Sequence, residues 1–419
     1  MTDALPPLDP TRSPEHAAVV SLALAVRDGG GRALLVGGWV RDALLTRLGR
    51  GQPSKDLDVE VFGIELGALK ELLSSLGSVD EVGASFAVLR VRGIDVDFSL
   101  PRRDTKSGAG HRGFLVAADP SMSFADAARR RDFTINSISM DPLTGHVIDP
   151  TGGVADLKAG VLAATDRETF GEDPLRALRA VQMTARFALE PAPDLPALMR
   201  EQDLSELPAE RLETELRKLL LRGVEPSRGL ELLRSGGGVR ALPGLDANDA
   251  TWQLRAMALD RWVGSRPPLP AALPEGWALL VAGASRKQRI KLLERVRPPV
   301  VVQKACHTLS DAPALIPDAP ALRRLARRLE AGGTTVASLA RVRTAQGVDC
   351  EAAVALATKL GLLERGPIDA VLGRDLLARG YAPGPSLGRL LAACRDAQDE
   401  TGLTDPEALL AWAAATQES

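Results

Sequence analysis

Cysteine is scarce in this chain: Cys306, Cys350 and Cys394 are the three, each more than forty positions from the next. That spacing excludes a disulfide framework and a cysteine-ligated zinc site, and it fits a reducing compartment, so a cytoplasmic location is expected. Histidine is almost as rare. His16, His111, His146 and His307 are scattered, which excludes histidine-rich metal sites and histidine–aspartate phosphohydrolase patterns. No apolar run reaches the roughly twenty residues of a membrane span. The longest, Ala17–Val26 and Trp277–Ala284, stop well short, so no membrane association is expected. Met1–Ser13 reads as a Pro-rich polar tail rather than a secretory leader. Neither sign of charge dominates: 52 basic against 54 acidic residues gives −2. Any surface for nucleic acid must therefore be a local patch.

What is present is unevenly spread. At roughly 150 residues per domain, 419 residues predict two to four domains. All eight phenylalanines fall between Phe62 and Phe187. Strand-like pieces occur at Ala33–Val36, Leu57–Phe62, Phe86–Val91, Ile94–Leu100 and His146–Ile148. Beyond Phe170, leucine, alanine and arginine dominate, with apolar residues at helical spacing (Leu212, Leu216, Leu219, Leu220) between Gly- and Pro-rich turns. The expected fold is α+β, an α/β head followed by an all-α remainder.

The head carries several patterns with chemical content. In Ala33–Leu45 an apolar strand enters a Gly37-Gly38 turn and a helix follows. Such a turn lets a phosphate reach free N–H groups, and Arg41 would lie in the first helical turn. By itself the same pattern also describes a tight strand–helix corner with a solvated arginine. Ser54–Phe62 places Asp56, Asp58 and Glu60 on one face of a strand by period-2 alternation. Carboxylates at this spacing suit a pair of divalent ions, although an acidic solvent face gives the same alternation. After a hairpin turn at Arg92-Gly93, the next strand brings Asp95 and Asp97, and Asp97 is the better third acid because Asp95 sits nearer the turn. Pro101–Phe124 has no evident element, and from Pro101 to Asp132 seven basic residues face four acidic ones. Arg102, Arg103, Lys106 and Arg112 belong to this stretch, which reads as a functional loop or as a solvated one. In Arg129–Ser137, a helix would put Asp132 and Asn136 on the face of Arg129, where they could hold a ribose while Arg131 holds phosphates. Asp156 is expected to cap the helix after the Asp149–Gly153 turn.

Gly171–Arg179 contains Asp173, Arg176 and Arg179. Asp173-Pro174 is a good helix start. A carboxylate only accepts and a guanidinium only donates. Cytosine and adenine offer an amino donor beside a ring-nitrogen acceptor, so this pair would accept them and refuse uracil and guanine. Glu210–Lys218 reads as a salt-bridged helix surface.

Taken in order, Gly-Gly-x-Val-Arg-Asp, Asp-x-Asp, Arg-Arg-Asp-Phe-Thr-x-Asn, Asp-Pro-x-Gly-Gly and Glu-Asp-Pro-x-Arg-x-x-Arg resemble the class II tRNA nucleotidyltransferase (CCA-adding) and bacterial poly(A) polymerase family. The resemblance covers about Leu34 to Leu220. It implies a tail and leading helix (1–30), a catalytic head (31–170), a helical neck with the base-reading motif (171–265), and a helical body and tail for RNA (266–419). It further implies two Mg²⁺ ions on Asp56 and Asp58 with Asp97 as third acid, and triphosphate held by Gly37, Gly38 and Arg41. Arg131, Asp132 and Asn136 would take phosphates and ribose; Asp173 and Arg176 would read the base, with Arg179 in support. The implied reaction is attack of a tRNA 3′-hydroxyl on CTP or ATP, releasing pyrophosphate, with no protein partner inferred. Within the family the full segment Arg102–Phe114 favours CCA addition, then A addition, over CC addition, and the absence of a basic C-terminal extension places poly(A) synthesis last. Ser137 stands where the family commonly has alanine. Two other classes compete: a catalytically dead RNA-binding protein, which would lack the carboxylates, and a nicotinamide oxidoreductase, which would need a third glycine.

Overall fold

In the computed structural model, residues 5–51, 54–82, 88–106 and 114–417 are described. The chain divides into two units, one of residues 1–215 with 228–241, the other of residues 216–227 with 242–419.

The first unit opens with α1 (Pro14–Asp28), started by the Ser13 hydroxyl accepting from the His16 N–H at 3.3 Å. Its buried Ala18, Val19, Leu22, Ala23 and Val26 recur at three- and four-residue intervals, so one face packs inward. Residues 5–13 before it are not a loose tail. Leu5 and Leu8 are buried, and their N–H groups donate to the carbonyls of Gly145 and Pro142.

A seven-stranded sheet forms from β1 (Arg32–Val36), β2 (Leu57–Phe62), β3 (Val79–Val82), β4 (Val88–Val91), β5 (Val96–Ser99), β8 (Ser139–Met140) and β9 (Val147–Ile148). Its order is β3-β4-β5-β2-β1-β8-β9. Between β5 and β8 run β6 (Arg102–Lys106) and β7 (Phe114–Ala118), an antiparallel pair outside that sheet. The segment from Pro101 therefore does contain elements. β6, Arg-Arg-Asp-Thr-Lys, gives no apolar signal, whereas β7, Phe-Leu-Val-Ala-Ala, is an apolar run.

Within the sheet β2 and β5 are parallel and the other neighbours are antiparallel. Leu57, Val59 and Val61 are buried while Asp58 is exposed and Glu60 half-buried, as the alternation predicts. Gly93 turns β4 into β5 with φ +85°, where glycine avoids a Cβ clash. Around the sheet lie α2 (Gly38–Arg47), α3 (Leu66–Ser74), α4 (Phe124–Arg129) and α5 (Gly153–Ala159). Asp149, not Asp156, starts α5: its two oxygens accept from the Gly153 and Val154 N–H groups at 2.8 Å. Asp156 instead accepts from the Thr134 hydroxyl at 2.6 Å. Ser137 is fully buried, its Oγ 2.6 Å from both the Thr134 carbonyl and the Thr151 hydroxyl, so the polar atom is satisfied. The parallel pair β10 (Val161–Leu162) and β11 (Glu190–Pro191) encloses α6 (Leu175–Phe187), and after it the unit is helical: α7 (Leu195–Arg200), the start of α8 (Ala209–Arg222), and α9 (Pro226–Ser235) from residue 228 on.

Among the described residues the second unit has helices and no strand. These are α10 (Asp249–Val263), α11 (Ala272–Leu280), α12 (Arg286–Val296), α13 (Val300–Ser310), α14 (Ala319–Ala331), α15 (Val336–Ala345), α16 (Glu351–Lys359), α17 (Gly373–Ala378), α18 (Pro385–Thr401) and α19 (Pro406–Gln417). The α/β head and helical remainder match the expected fold class. No described helix is long and apolar enough to cross a membrane. Val371, Leu376, Cys394, Ala397, Leu409 and Ala413 form a small core joining the segment before α17 to α17, α18 and α19. Elsewhere in this unit, Glu275 is fully buried. It accepts from the Trp262 indole at 2.9 Å and from the Arg341 fork, whose Nη2 lies 2.7 Å away.

A buried carboxylate that loses its cation costs about 3–5 kcal/mol. Arg341→Leu is expected to destabilise the second unit by that order in urea unfolding followed by tryptophan fluorescence. Adding Glu275→Gln should recover part of the loss by removing the stranded charge. A single variant as stable as the parent would show that the pair contributes nothing.

Candidate active site

Parallel pairing of β2 with β5 sets Asp58 opposite Asp97 and Glu60 opposite Ser99. Adjacent strands lie about 4.8 Å apart, so each pair projects side by side from the wet face of the sheet. All four residues line one cleft of about 1000 Å³. Partial desolvation by the surrounding cleft raises the Asp58 pKa, and the neighbouring charges of Asp97 and Asp56 raise it further, against the opposing pull of Arg131 and Arg90. Asp97 is bridged by Arg90 through both oxygens, the longer contact being 3.0 Å. Asp56 is exposed, immediately before β2, and does not line the cleft. Asp95 borders a separate hollow, with Trp39 and Lys55. Among the described residues no three carboxylate, histidine or cysteine side chains stand close enough to hold a metal ion.

The Gly37-Gly38 turn forms the next wall. Gly37 has φ +70° and ψ −128°, open only to glycine, and a Cβ there would stand 3.2 Å from Arg131 Nη1. Gly38 begins α2 and is sterically relaxed, a Cβ there meeting only Arg41 Nη2 at 3.6 Å. Arg41 does not extend freely from the first turn, as a solvated arginine would. It is 5% exposed, donates to Asp42 at 2.8 Å and to Asn136 at 2.5 Å, and lies 4.5 Å over the Phe187 ring. Burial lowers its pKa, with Asp42 and Asp132 acting the other way.

Asp132 and Asn136 meet without a continuous helix between them. α4 ends at Arg129, a 3₁₀ turn spans Thr134–Asn136, and Asn136 Nδ2 donates to Asp132 Oδ1 at 2.9 Å. Arg129 is exposed and near Asp126, so it does not share their face. Burial would raise the Asp132 pKa, but Arg179, Asn136 and the Phe133 N–H outweigh it and hold the carboxylate below its ordinary range. Asp132 in turn raises the pKa of Arg179. Arg131 stands 3.4 Å from Glu60.

Asp173, Arg176 and Arg179 all line the same cleft from α6 and the turn before it. Asp173 Oδ1 accepts from the Leu175 N–H at 3.0 Å, the helix-start role expected of an Asp-Pro pair. Its Oδ2 takes Arg211 Nη2 at 2.8 Å. Arg176 is held by backbone, Nη1 on the Thr169 carbonyl at 2.8 Å and Nη2 on that of Arg130 at 2.7 Å. Arg102 also borders the cleft; Arg103 and Lys106 lie on β6, and Arg112 falls outside the described residues.

Three participants escape a reading of the sequence. Asp42 and Phe187 hold Arg41, and Arg211 reaches Asp173 from the start of α8 although its segment has the pattern of a helix surface. Asp42 follows Arg41 directly, so its role has a local signal. Phe187 and Arg211 act across the fold and have none.

Gly37→Ala is expected to cost about 1–3 kcal/mol through strain, whereas Gly38→Ala should leave stability within experimental error. Chemical denaturation of both variants measures this. Equal losses would contradict the turn geometry.

Residues 33–163 match the family described as Poly A polymerase head domain. The "Multifunctional CCA protein" of Xanthomonas campestris pv. campestris (strain B100) is 42% identical over 221 residues, 51% of this chain and 51% of that protein. That of Xylella fastidiosa (strain M23) is 39% identical over 224 residues, 52% of this chain and 51% of its own. The chain spans about half the length of the curated relatives it matches. Among solved structures, a Bacillus stearothermophilus CCA-adding enzyme in complex with CTP superposes with TM-score 0.71 at 23% identity, covering 97% of this chain and 98% of that one. A Thermotoga maritima CCA-adding enzyme complexed with tRNA gives 0.66 at 18%, over 96% and 95%. At these identities the structural likeness speaks to the fold.

Proposed function

We propose that this chain, whose head belongs to the poly A polymerase head-domain family, adds C and A residues to the 3′ end of tRNA from CTP and ATP without a template. The observation that carries the reading is one cleft lined at once by paired carboxylates, a glycine turn at a helix start, and an Asp–Arg pair suited to cytosine and adenine edges. The relatives are named CCA proteins, and similar folds are known with CTP, ATP and tRNA, which supports the substrate class.

In this reading the Gly37-Gly38 turn and the N-terminus of α2 receive the triphosphate, with Arg41 and Arg131 as cationic walls. Asn136 and Asp132 take the ribose. Asp173 accepts the exocyclic amino group while Arg176 donates to the ring nitrogen, and Arg179 holds Asp132 in place. A nicotinamide-binding role lacks support, because the turn has no third glycine.

Asp58 and Asp97, side by side on adjacent strands, offer hard oxygen donors that suit divalent magnesium, and Asp56, outside the cleft, adds negative charge nearby. Seven arginines against six carboxylates around the cleft leave little net positive charge for a polyphosphate. Two magnesium ions would supply that charge and lower the pKa of the attacking hydroxyl. The protein's own part is to align the hydroxyl and the α-phosphate and to select the base. The four-part division into tail with leading helix (1–30), head (31–170), neck (171–265), and body with tail (266–419) belongs to the same proposal, the last part serving RNA.

Purified protein given tRNA ending at the discriminator base, after the first C, or after the second C separates the products. CCA addition extends all three; addition of A alone extends only the last, and only with ATP. Asp58→Ala is expected to reduce incorporation by at least about a thousandfold while leaving the unfolding transition in place. Gly38→Ala should raise the KM for both nucleotides without destabilising the fold. Long A tracts on unrelated RNA, or near-normal turnover by folded Asp58→Ala, would overturn the assignment.

A further inference from the structure

We infer that Arg90 is a positioning residue, a removable counter-ion that holds Asp97 until a divalent cation takes its place and then withdraws toward Asp80. The inference rests on the reading of Asp58 and Asp97 as metal ligands given above. It concerns a side chain that does not itself line the cleft.

Strand register creates the arrangement. In the antiparallel pair β4 and β5, Leu89 stands opposite Phe98, and both are fully buried. One residue along, Arg90 and Asp97 therefore oppose each other on the wet face. On the far side of β5, parallel pairing puts Asp58 beside Asp97. On the far side of β4, Asp80 of β3 stands opposite Arg90. Four neighbouring strands thus carry a row that reads Asp80, Arg90, Asp97, Asp58, with about 4.8 Å from one strand to the next.

The three acids of this row are partnered unequally. Arg90 Nε and Nη2 meet the two oxygens of Asp97, the longer contact being 3.0 Å. Among the described residues Asp58 has no ion pair, and Asp80 has only Arg92, at 3.5 Å. A guanidinium seated on both oxygens of Asp97 sets a positive charge where a second cation would be repelled. Asp97 therefore serves a divalent ion well only after the fork has left. The pair parts at little cost: its side chains are 50% and 34% exposed, and an exposed ion pair contributes little. Arg90 then finds a second carboxylate one strand away, whose own contact with Arg92 is long. Moving the guanidinium from Asp97 to Asp80 takes its charge away from the cleft without leaving it unpaired. Arg90 so sets, through Asp97, how tightly the carboxylate pair holds a divalent cation.

The test is Mn²⁺ binding to the full chain without nucleotide, followed by electron paramagnetic resonance, beside the Mg²⁺ concentration that half-saturates CTP incorporation. Arg90→Ala and Arg90→Gln should bind Mn²⁺ about fivefold more tightly than the parent, the scale of one exposed ion pair. Arg90→Lys, which keeps the charge and loses the fork, should fall between. Asp80→Asn should have the opposite sign and bind Mn²⁺ more weakly, because Arg90 then has no second carboxylate to move to. In an Arg90→Ala background the same Asp80→Asn change should add little, since it acts through the arginine. The half-saturating Mg²⁺ concentration should move in the same direction as the Mn²⁺ affinity for each variant. If Arg90→Ala binds Mn²⁺ no more tightly than the parent, Arg90 orients Asp97 or only braces the hairpin, and the inference is overturned. An Asp80→Asn effect that persists undiminished without Arg90 overturns the withdrawal. Asp58→Ala separates the inference from the reading beneath it. If that variant binds Mn²⁺ as well as the parent, the metal-ligand reading has failed first. If it loses binding while the Arg90 variants match the parent, only this inference falls. Should Arg90→Ala not fold, Arg90→Gln carries the same expectation, and an unchanged Mn²⁺ affinity in it overturns the inference equally.

Discussion

The cleft depends on one buried carboxylate. Asp132 is 8% exposed and accepts from the Phe133 N–H, the Asn136 amide and Arg179. Asn136 in turn accepts from Arg41 at the start of α2. One charge thus connects the turn after α4, the 3₁₀ turn, α2 and α6. Removing such a charge from water is costly unless each lone pair is used, and here each added donor also fixes an element. Arg176 strengthens the same junction by donating to the Arg130 carbonyl two residues before Asp132. Because α6 is docked through both Arg176 and Arg179, Asp173 at its start is brought to the cleft that also contains the strand carboxylates.

The carboxylate wall follows a different logic. Asp58 and Asp97 are brought together by backbone register, not by partners that neutralise them, and desolvation together with the Asp97 charge raises the Asp58 pKa. A sheet tolerates this because hydrogen bonding and the buried Val59 and Phe98 fix the strands regardless of what their wet faces carry. Like charges held side by side by a rigid scaffold are poised for a cation, and Arg90 on β4 partly fills that role for Asp97.

Legibility in the sequence tracks the range of the interaction. Leu57–Phe62 is readable to its ends because alternation is local, whereas the opposition of Asp58 to Asp97 comes from the long-range parallel register of β2 with β5, the Gly93 turn marking only the β4–β5 hairpin. The Asp149–Gly153 turn is visible, yet the choice of cap is not: Asp149 and Asp156 both flank it, and the Thr134 hydroxyl that occupies Asp156 arrives from outside the motif. β6 is hidden because its polar residues carry no apolar period, whereas β7 is an apolar run, Phe114–Ala118, within a stretch otherwise rich in charge and glycine. The burial of Arg41 under Phe187, and the reach of Arg211 to Asp173, are products of how α6 and α8 pack; no spacing rule encodes a contact between residues 38 positions apart.

Arginine outnumbers every other residue type around this cleft, and its geometry explains why lysine would not substitute evenly. Arg41 must donate to Asp42 and Asn136 while its flat face lies over Phe187. Arg176 must meet two carbonyls at once. A planar fork satisfies such paired demands with little loss of freedom per bond, whereas an ammonium presents one compact, strongly hydrated charge. With the guanidinium directions already fixed by carbonyls, an amide and carboxylates, much of the cost of ordering the cleft is met during folding. In the proposed reading, an incoming triphosphate would meet donors that need little reorganisation.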